Sequence, residues 1–204
     1  MPGRFFLTTP VAQIAQELSV PDPSAADGAR HNIQPGQEIW VLTLGGLQRM
    51  RWGIIPVGRV NARGRPVMET IINARSETVF DKTAFEGVRR VVIPVDGWYE
   101  WTGKTRRKTA WRLSSNAGEL LLFAGIADVW TAPGGQVLHQ VAAVTCEPNA
   151  DVRPIHHRMG VILRPEDVGC WLGGSQEAAR NLMRPLPEGT LEIAPAEGID
   201  WSSA

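Results

Sequence analysis

Proline or glycine interrupts this chain at short intervals throughout: 15 prolines and 21 glycines are spread over 204 residues. Long amphipathic helices do not survive such spacing. Proline removes an amide donor and clashes with the preceding turn, and glycine carries a backbone-entropy penalty. The intervals are filled by short runs rich in β-branched and aromatic residues, at Ile39 to Leu44, Val91 to Val95, Leu120 to Ile126 and Val137 to Thr145. Runs of that length between turn residues read as strands. The expectation is therefore an α+β fold, a single domain over residues 1–204 with a curved, mostly antiparallel, barrel-like sheet and a few short helices.

Charge narrows the field. Lys and Arg number 21 and so do Asp and Glu, so the formal net charge is zero. A basic field over the whole surface is excluded, and any anion site must be a local cluster. Cys146 and Cys170 are the two cysteines. They make neither a disulfide framework nor a zinc pattern, and the four histidines lack ligand spacing. No metal and no cofactor are expected. The sequence holds no apolar run of membrane-spanning length and no basic-then-apolar signal at its start, so a cytoplasmic, membrane-free protein is expected.

Several local readings follow. Thr9 before Pro10 predicts a helix start with Thr9 as N-cap. Gly45-Gly46 predicts a hairpin between Ile39 to Leu44 and Leu47 to Trp52. Asp81 to Gly87 reads as a short helix, Gly160 to Leu163 as a strand, and Pro165 as the start of a helix carrying Trp171. Basic clusters recur at Arg49/Arg51, Arg59/Arg63/Arg65, Arg89/Arg90 and Lys104 to Lys108, with Trp52, Trp98, Trp101 and Trp111 between them. The ordinary reading is a set of solvated faces. If they converge, they form a polyanion groove with base-stacking rings.

The stretch Pro94-Val95-Asp96-Gly97-Trp98-Tyr99-Glu100-Trp101 carries the sharpest chemical signal. A carboxylate among three aromatics is shielded from water, which raises its pKa toward the range useful for proton transfer. The competing reading is a strand end whose Glu100 faces solvent. His156-His157 on a strand edge would point to opposite faces, leaving one to share a pocket. Asn73 before Arg75 offers an orienting amide or, alternatively, a simple cap.

Taken in order, the segments resemble the SOS response-associated peptidase family. The matching pieces are Gly3-Arg4-Phe5, Asn32 with Pro35, Arg51-Trp52-Gly53-Ile54-Ile55-Pro56, Asn73-Ala74-Arg75-Ser76-Glu77-Thr78, and Arg89-Arg90 leading to the Glu100 stretch. Phe123-Ala124-Gly125-Ile126, Ile155-His156-His157-Arg158-Met159 and Trp171-Leu172 complete the set. The tail from about residue 185 matches poorly. The resemblance implies processing of abasic sites in single-stranded DNA by a monomer, associated with the nucleoid when on DNA. It implies catalytic roles for the residue at position two and for Asn73, Glu100 and His156, and DNA contacts by Gly3, Arg4, Trp52, Arg75, Trp101 and Arg158.

This sequence departs from the family pattern at position two, where Pro2 replaces a cysteine. Without a thiol the family's thiazolidine crosslink cannot form. Removal of Met1 would still expose a secondary amine able to attack an aldehyde and give an iminium, with strand nicking by β-elimination as a consequence. The alternative is a catalytically inactive single-stranded DNA-binding module. The peptidase activity in the family's name is most simply self-removal of residues before position two. Val57-Gly58-Arg59 stands where a tryptophan is usual, and Gly160 where proline is usual, which predicts a looser turn beside His156.

Overall fold

The computed structural model describes residues 2–56, 70–104, 107–132 and 134–202. The readings at Gly58, Arg59, Arg63, Arg65 and Arg106, and Met1 itself, lie outside the described residues. The chain forms β1 (Arg4–Leu7), α1 (Val11–Glu17), β2 (Arg30–Ile33), β3 (Glu38–Thr43), β4 (Gly46–Trp52) and β5 (Asn73–Arg75). It continues through β6 (Arg89–Val95), β7 (Gly97–Lys104), β8 (Arg107–Ser115), β9 (Leu121–Thr131), β10 (Val137–Cys146), β11 (Met159–Gly160) and β12 (Ile162–Leu163). The helices α2 (Val168–Gly173) and α3 (Gln176–Leu182) and the strand β13 (Leu191–Pro195) complete it.

Two sheets pack around one core. In the larger, the path β10-β4-β3-β6-β9 closes because β9 also pairs with β10, from Val137↔Thr131 to Ala143↔Gly125. Closure removes the exposed edges that such apolar strands would otherwise present. The ladders are antiparallel except that β4 and β5 both run parallel to β10. The smaller sheet has the order β13-β8-β7-β1-β2 and is antiparallel throughout. The expected curved, mainly antiparallel architecture is the one found. Among the described residues no helix is long and apolar enough to cross a membrane.

The chain changes sheets at Val95-Asp96-Gly97. What reads in sequence as one strand reaching Glu100 is two: β6 in the larger sheet and β7 in the smaller. Asp96 fixes the crossing. Its carboxylate accepts from the Thr8 amide at 2.5 Å and the Thr8 hydroxyl at 2.6 Å, and from the Thr9 hydroxyl at 2.6 Å. These bonds hold its pKa below the usual carboxylate value against the opposing pull of burial, which is the largest single influence on it. Thr9 is therefore not the N-cap expected of it. Pro10 takes that position, with no side-chain cap, because the Thr9 hydroxyl is engaged at the sheet crossing. At Gly97 an added Cβ would lie 2.1 Å from the Leu113 carbonyl oxygen, so only glycine lets β7 approach β8 there.

Other boundaries shift. Asp81 to Gly87 contains only a 3₁₀ turn at Thr83–Phe85, and the strand expected from Gly160 to Leu163 is split into β11 and β12. The Gly45-Gly46 hairpin forms as expected, with Gly46 at φ 102°. Gly160 does not loosen a turn. It lies in β11 opposite Thr145, and an added Cβ would sit 2.1 Å from the Phe123 ring. The missing side chain makes the seat for a core aromatic.

Candidate active site

Alternation along β7 sorts its aromatics. Successive strand residues point to opposite faces. Trp98 is fully buried and meets Phe123 edge-on, at 5.4 Å between ring centroids, on the face toward the larger sheet. Tyr99 and Trp101 point the other way, and both contact Trp201. Glu100 shares the inner face with Trp98. The expectation of a carboxylate shielded by all three aromatics is thus corrected: a period of two sends its sequence neighbours Tyr99 and Trp101 to the opposite face and leaves Trp98 beside it.

Glu100 is 3 % exposed. Burial raises its pKa to about 7, partly opposed by the positive amino terminus and the Trp98 side chain. A carboxyl in that range holds and releases a proton with equal ease near neutrality. The ladder of β1 on β7 pairs Arg4↔Tyr99, Phe5↔Trp98 and Phe6↔Gly97. Continued toward the N-terminus, that register brings Gly3 level with Glu100 and Pro2 level with Trp101. Pro2 is buried and Gly3 half-buried.

Asn73 meets this segment from the larger sheet. It opens β5, which runs parallel to β10 with Asn73 level with Ala143. Its Nδ2 donates to the Pro2 carbonyl at 2.8 Å, and its buried Oδ1 has no hydrogen-bond partner among the described residues. Ala74 faces the core, so Asn73 and Arg75 share the other side of β5, and Arg75 is exposed.

His156 follows a turn from Asn149 to Ile155, where the Val152 carbonyl accepts from the His156 amide at 2.9 Å. Its Nδ1 lies 3.0 Å from the Arg158 amide and 3.2 Å from the Arg158 carbonyl, so it accepts from the one or donates to the other according to the tautomer of the neutral ring. Burial first, then the positive amino terminus and His157, lower its pKa to about 4. Glu100 and His156 thus both feel the charge of the chain's amino end. His156 and His157 do not diverge as expected of a strand edge. They lie in a loop and stack, 4.3 Å between centroids.

The expected DNA contacts divide. Arg4 is half-buried and donates to Asn32 Oδ1 at 2.5 Å. Trp101 is half-buried beside Trp201. Trp52 is fully buried, stacked on Phe5 at 4.3 Å, with its indole N–H donating to the Ile72 carbonyl at 3.0 Å. A ring with both faces covered stacks on no base, so Trp52 is a core residue. Arg158 is buried, forks onto Glu77, and donates to the Thr145 carbonyl at 2.5 Å. That pairing draws the Glu77 pKa down to about 2 and makes Arg158 a brace beneath the His156 loop in place of the expected DNA contact.

Among the described residues, members of the basic clusters divide between internal contacts and solvent. Arg49 pairs with Asp27 and lies over Trp40. Arg90 donates to the Gly174 and Ser175 carbonyls. Arg89, Lys104, Arg107 and Lys108 are exposed.

Sequence reasoning overlooked Glu77, Asn32 as a bridge, and Trp201. Glu77 and Trp201 carry no local signal, because their partners lie 81 and about 100 residues away in the chain.

The profile of the SOS response associated peptidase (SRAP) family matches residues 1–198. The chain is 30% identical to "Abasic site processing protein YoqW" of Bacillus subtilis, over 94% of this chain and 90% of that protein. It is 29% identical to "Abasic site processing protein HMCES" of Gallus gallus, over 75% of this chain and 51% of that one. Among solved structures, a protein from Bacteroides thetaiotaomicron superposes with a TM-score of 0.81 at 19% identity, covering 96% of this chain and 92% of the other.

Proposed function

Because the chain belongs to the SOS response associated peptidase family, we propose that it processes abasic sites in single-stranded DNA through the amine of Pro2, exposed by removal of Met1. The observation that carries this reading is Glu100, buried beside the entering N-terminal segment with its pKa raised to about 7. Asn73 holds the Pro2 carbonyl and so fixes the backbone next to the nucleophile.

The chemistry runs as follows. His156, neutral because its pKa is lowered to about 4, accepts the sugar hydroxyl proton and passes it to the ring oxygen as the ring C–O bond breaks and the aldehyde forms. The Pro2 nitrogen adds to the carbonyl carbon and its proton passes to the carbonyl oxygen, giving a hydroxyl. Protonated Glu100 gives its proton to the departing hydroxyl, water leaves, and a cationic iminium remains. The iminium acidifies the adjacent sugar C–H. A carboxylate at Glu100 takes that proton, and the electron pair expels the 3′ phosphate, nicking the strand. Pro2 has no thiol, so the adduct cannot close to a thiazolidine and water can reverse it. Gly3, Arg75 and Trp101 border the path of the strand in this reading.

Incubating the Met-free protein with an abasic single-stranded oligonucleotide and borohydride tests it. A reduced, covalent protein–DNA species by mass spectrometry is expected, with nicked strand when borohydride is omitted. Neither product from protein whose mass shows Met1 removed would end the proposal.

One observation favours a second reading, a non-catalytic binder. Pro2 is buried, and while Met1 remains its nitrogen is an amide without nucleophilicity. Protein that binds the oligonucleotide in a salt-dependent way, yields no adduct and keeps Met1 by intact mass would establish that reading.

A further inference from the structure

The outer face of the smaller sheet is crossed by the chain's own C-terminal segment. Past β13, the Ala196 amide donates to the Ala110 carbonyl on β8 at 2.9 Å. Four residues later the Asp200 carbonyl accepts from Asn32 Nδ2 on β2 at 3.1 Å. From β8 to β2 are three strand spacings of ~4.8 Å, close to the full reach of four extended residues. The segment therefore passes straight over β7 and β1.

Its contacts there have a particular chemistry. Trp201 meets Trp101 at 5.3 Å and Tyr99 at 5.0 Å between ring centroids, edge-on to both. Asn32 joins it to the sheet, with Nδ2 on the Asp200 carbonyl and Oδ1 accepting from Arg4. Arg112 adds a second cation to this face, 4.4 Å over the Phe6 ring. The segment brings two exposed carboxylates, Glu197 and Asp200, and one flat ring. Anionic groups followed by a planar aromatic, on a face that carries Arg4, Arg112 and Trp101, have the chemistry of a short single-stranded nucleotide segment.

We propose that residues 197–202 occupy a nucleotide-binding surface formed by Arg4, Asn32, Tyr99 and Trp101, and that DNA must displace them, Trp201 standing where a base would stack. The proposal rests on the DNA-processing reading above and adds to it a self-competing strap. The hold is weak by construction. Among the described residues it includes edge-on ring contacts and a hydrogen bond from Asn32 to the Asp200 carbonyl, contacts that a strand carrying phosphates and bases can replace.

The test is fluorescence anisotropy of a labelled single-stranded oligonucleotide, in intact and abasic forms. It is titrated with the wild type, Trp201→Ala, and a truncation ending at Ala196, which keeps β13. Each protein's thermal unfolding is recorded. Removing one aromatic edge contact should tighten binding about threefold to tenfold for Trp201→Ala, and further for the truncation. The gain should be equal on intact and abasic DNA, since the strap competes with the strand and not with the lesion. In the wild type, amide hydrogen exchange at residues 197–202 should speed up on binding. Unchanged or weaker binding by Trp201→Ala while the wild type binds would overturn the strap, and weaker binding would make Trp201 part of the platform. If the wild type binds neither oligonucleotide, the DNA reading itself falls and takes the strap with it.

Discussion

The two faces of β7 start from one run of sequence, Trp98-Tyr99-Glu100-Trp101, and end in opposite environments. On the inner face Trp98 and Glu100 are sealed between sheets, and the carboxyl is desolvated until its pKa reaches about 7. On the outer face Tyr99 sends its hydroxyl to the His31 carbonyl at 3.0 Å, and Trp101 remains half-exposed under a displaceable segment. The inner face is built for a proton and the outer for a surface ligand. Glu100 has its reactivity because alternation gives it to the core, whereas Trp101 can meet a ligand because alternation keeps it out. Reaction and binding are therefore separable by substitutions one residue apart.

The strongest way to break this division is Glu100→Gln. It keeps shape and burial and removes proton transfer. Borohydride-trapped adduct should form ~10²–10⁴-fold more slowly, the usual contribution of general acid–base catalysis. Affinity for the oligonucleotide should stay within about twofold, because the side chain adds no surface contact on the outer face. If anisotropy shows binding and trapping falling together, the two faces are not independent.

Next comes the pair of tryptophans. Trp98→Ala leaves a cavity against Phe123 and should cost ~3–5 kcal/mol in urea unfolding. Trp101→Ala removes an edge contact with Trp201 and should cost ~1 kcal/mol, while weakening oligonucleotide binding. Equal stability losses would contradict the burial that distinguishes the faces.

Proton linkage sharpens the inner face further. Glu100 has a folded pKa near 7, above its ordinary 4.5, so its stabilising neutral form is fully present below 4.5 and lost as pH rises through 7. His156 has a folded pKa near 4, below its ordinary 6.5. Its contribution is full above 6.5 and lost as pH falls through 4. The two slopes oppose each other over nearly the same window, so the wild type should show a shallow profile there. Glu100→Gln should leave stability rising from pH 4 to 6.5, and His156→Gln should leave it falling from 4.5 to 7. Relative to the wild type, Glu100→Gln should gain nothing at pH 4 and on the order of 3 kcal/mol at pH 8. Urea midpoints at pH 4, 6 and 8 measure all three curves.

How much of this was legible in the sequence differs between the faces for a physical reason. The strands and the Gly45-Gly46 hairpin follow from local patterning, which leaves Glu100 open between a shielded site and a solvent-facing strand end, and the readings of Asn73, Glu100 and His156 follow from the ordered resemblance. The side to which each aromatic points does not, because the change of sheet at Asp96 restarts the alternation and is secured by Thr8 and Thr9, 88 and 87 residues away. Trp52 reads as a stacking ring because it sits among arginines, yet its partner Phe5 lies about 47 residues earlier in the chain, on another sheet. Arg158 reads as a phosphate ligand because nothing local announces Glu77. The outer face depends on β13 and Trp201, within the tail that the resemblance covers least, and a strap held by Asn32 has no spacing to reveal it.

The smallest expected effect concerns which arginine beside the inner face meets phosphate. Arg75 is exposed and has no ion pair or hydrogen bond among the described residues, whereas Arg158 is buried against Glu77 and Thr145. Arg75→Ala should leave unfolding within ~0.5 kcal/mol, since no native contact is lost. It should flatten the dependence of log K on log salt by about 0.7, the value of one phosphate contact on a single strand. Arg158→Ala should instead lower stability by removing the forked partner of Glu77 and one of two donors to the Thr145 carbonyl, the other being the Ser76 amide, and should raise the Glu77 pKa toward its ordinary value. Anisotropy titrations at four salt concentrations, paired with unfolding curves, distinguish the two. A flattened slope from Arg158→Ala with intact stability would make the brace a DNA ligand after all. An unchanged slope from Arg75→Ala would remove Arg75 from the path of the strand.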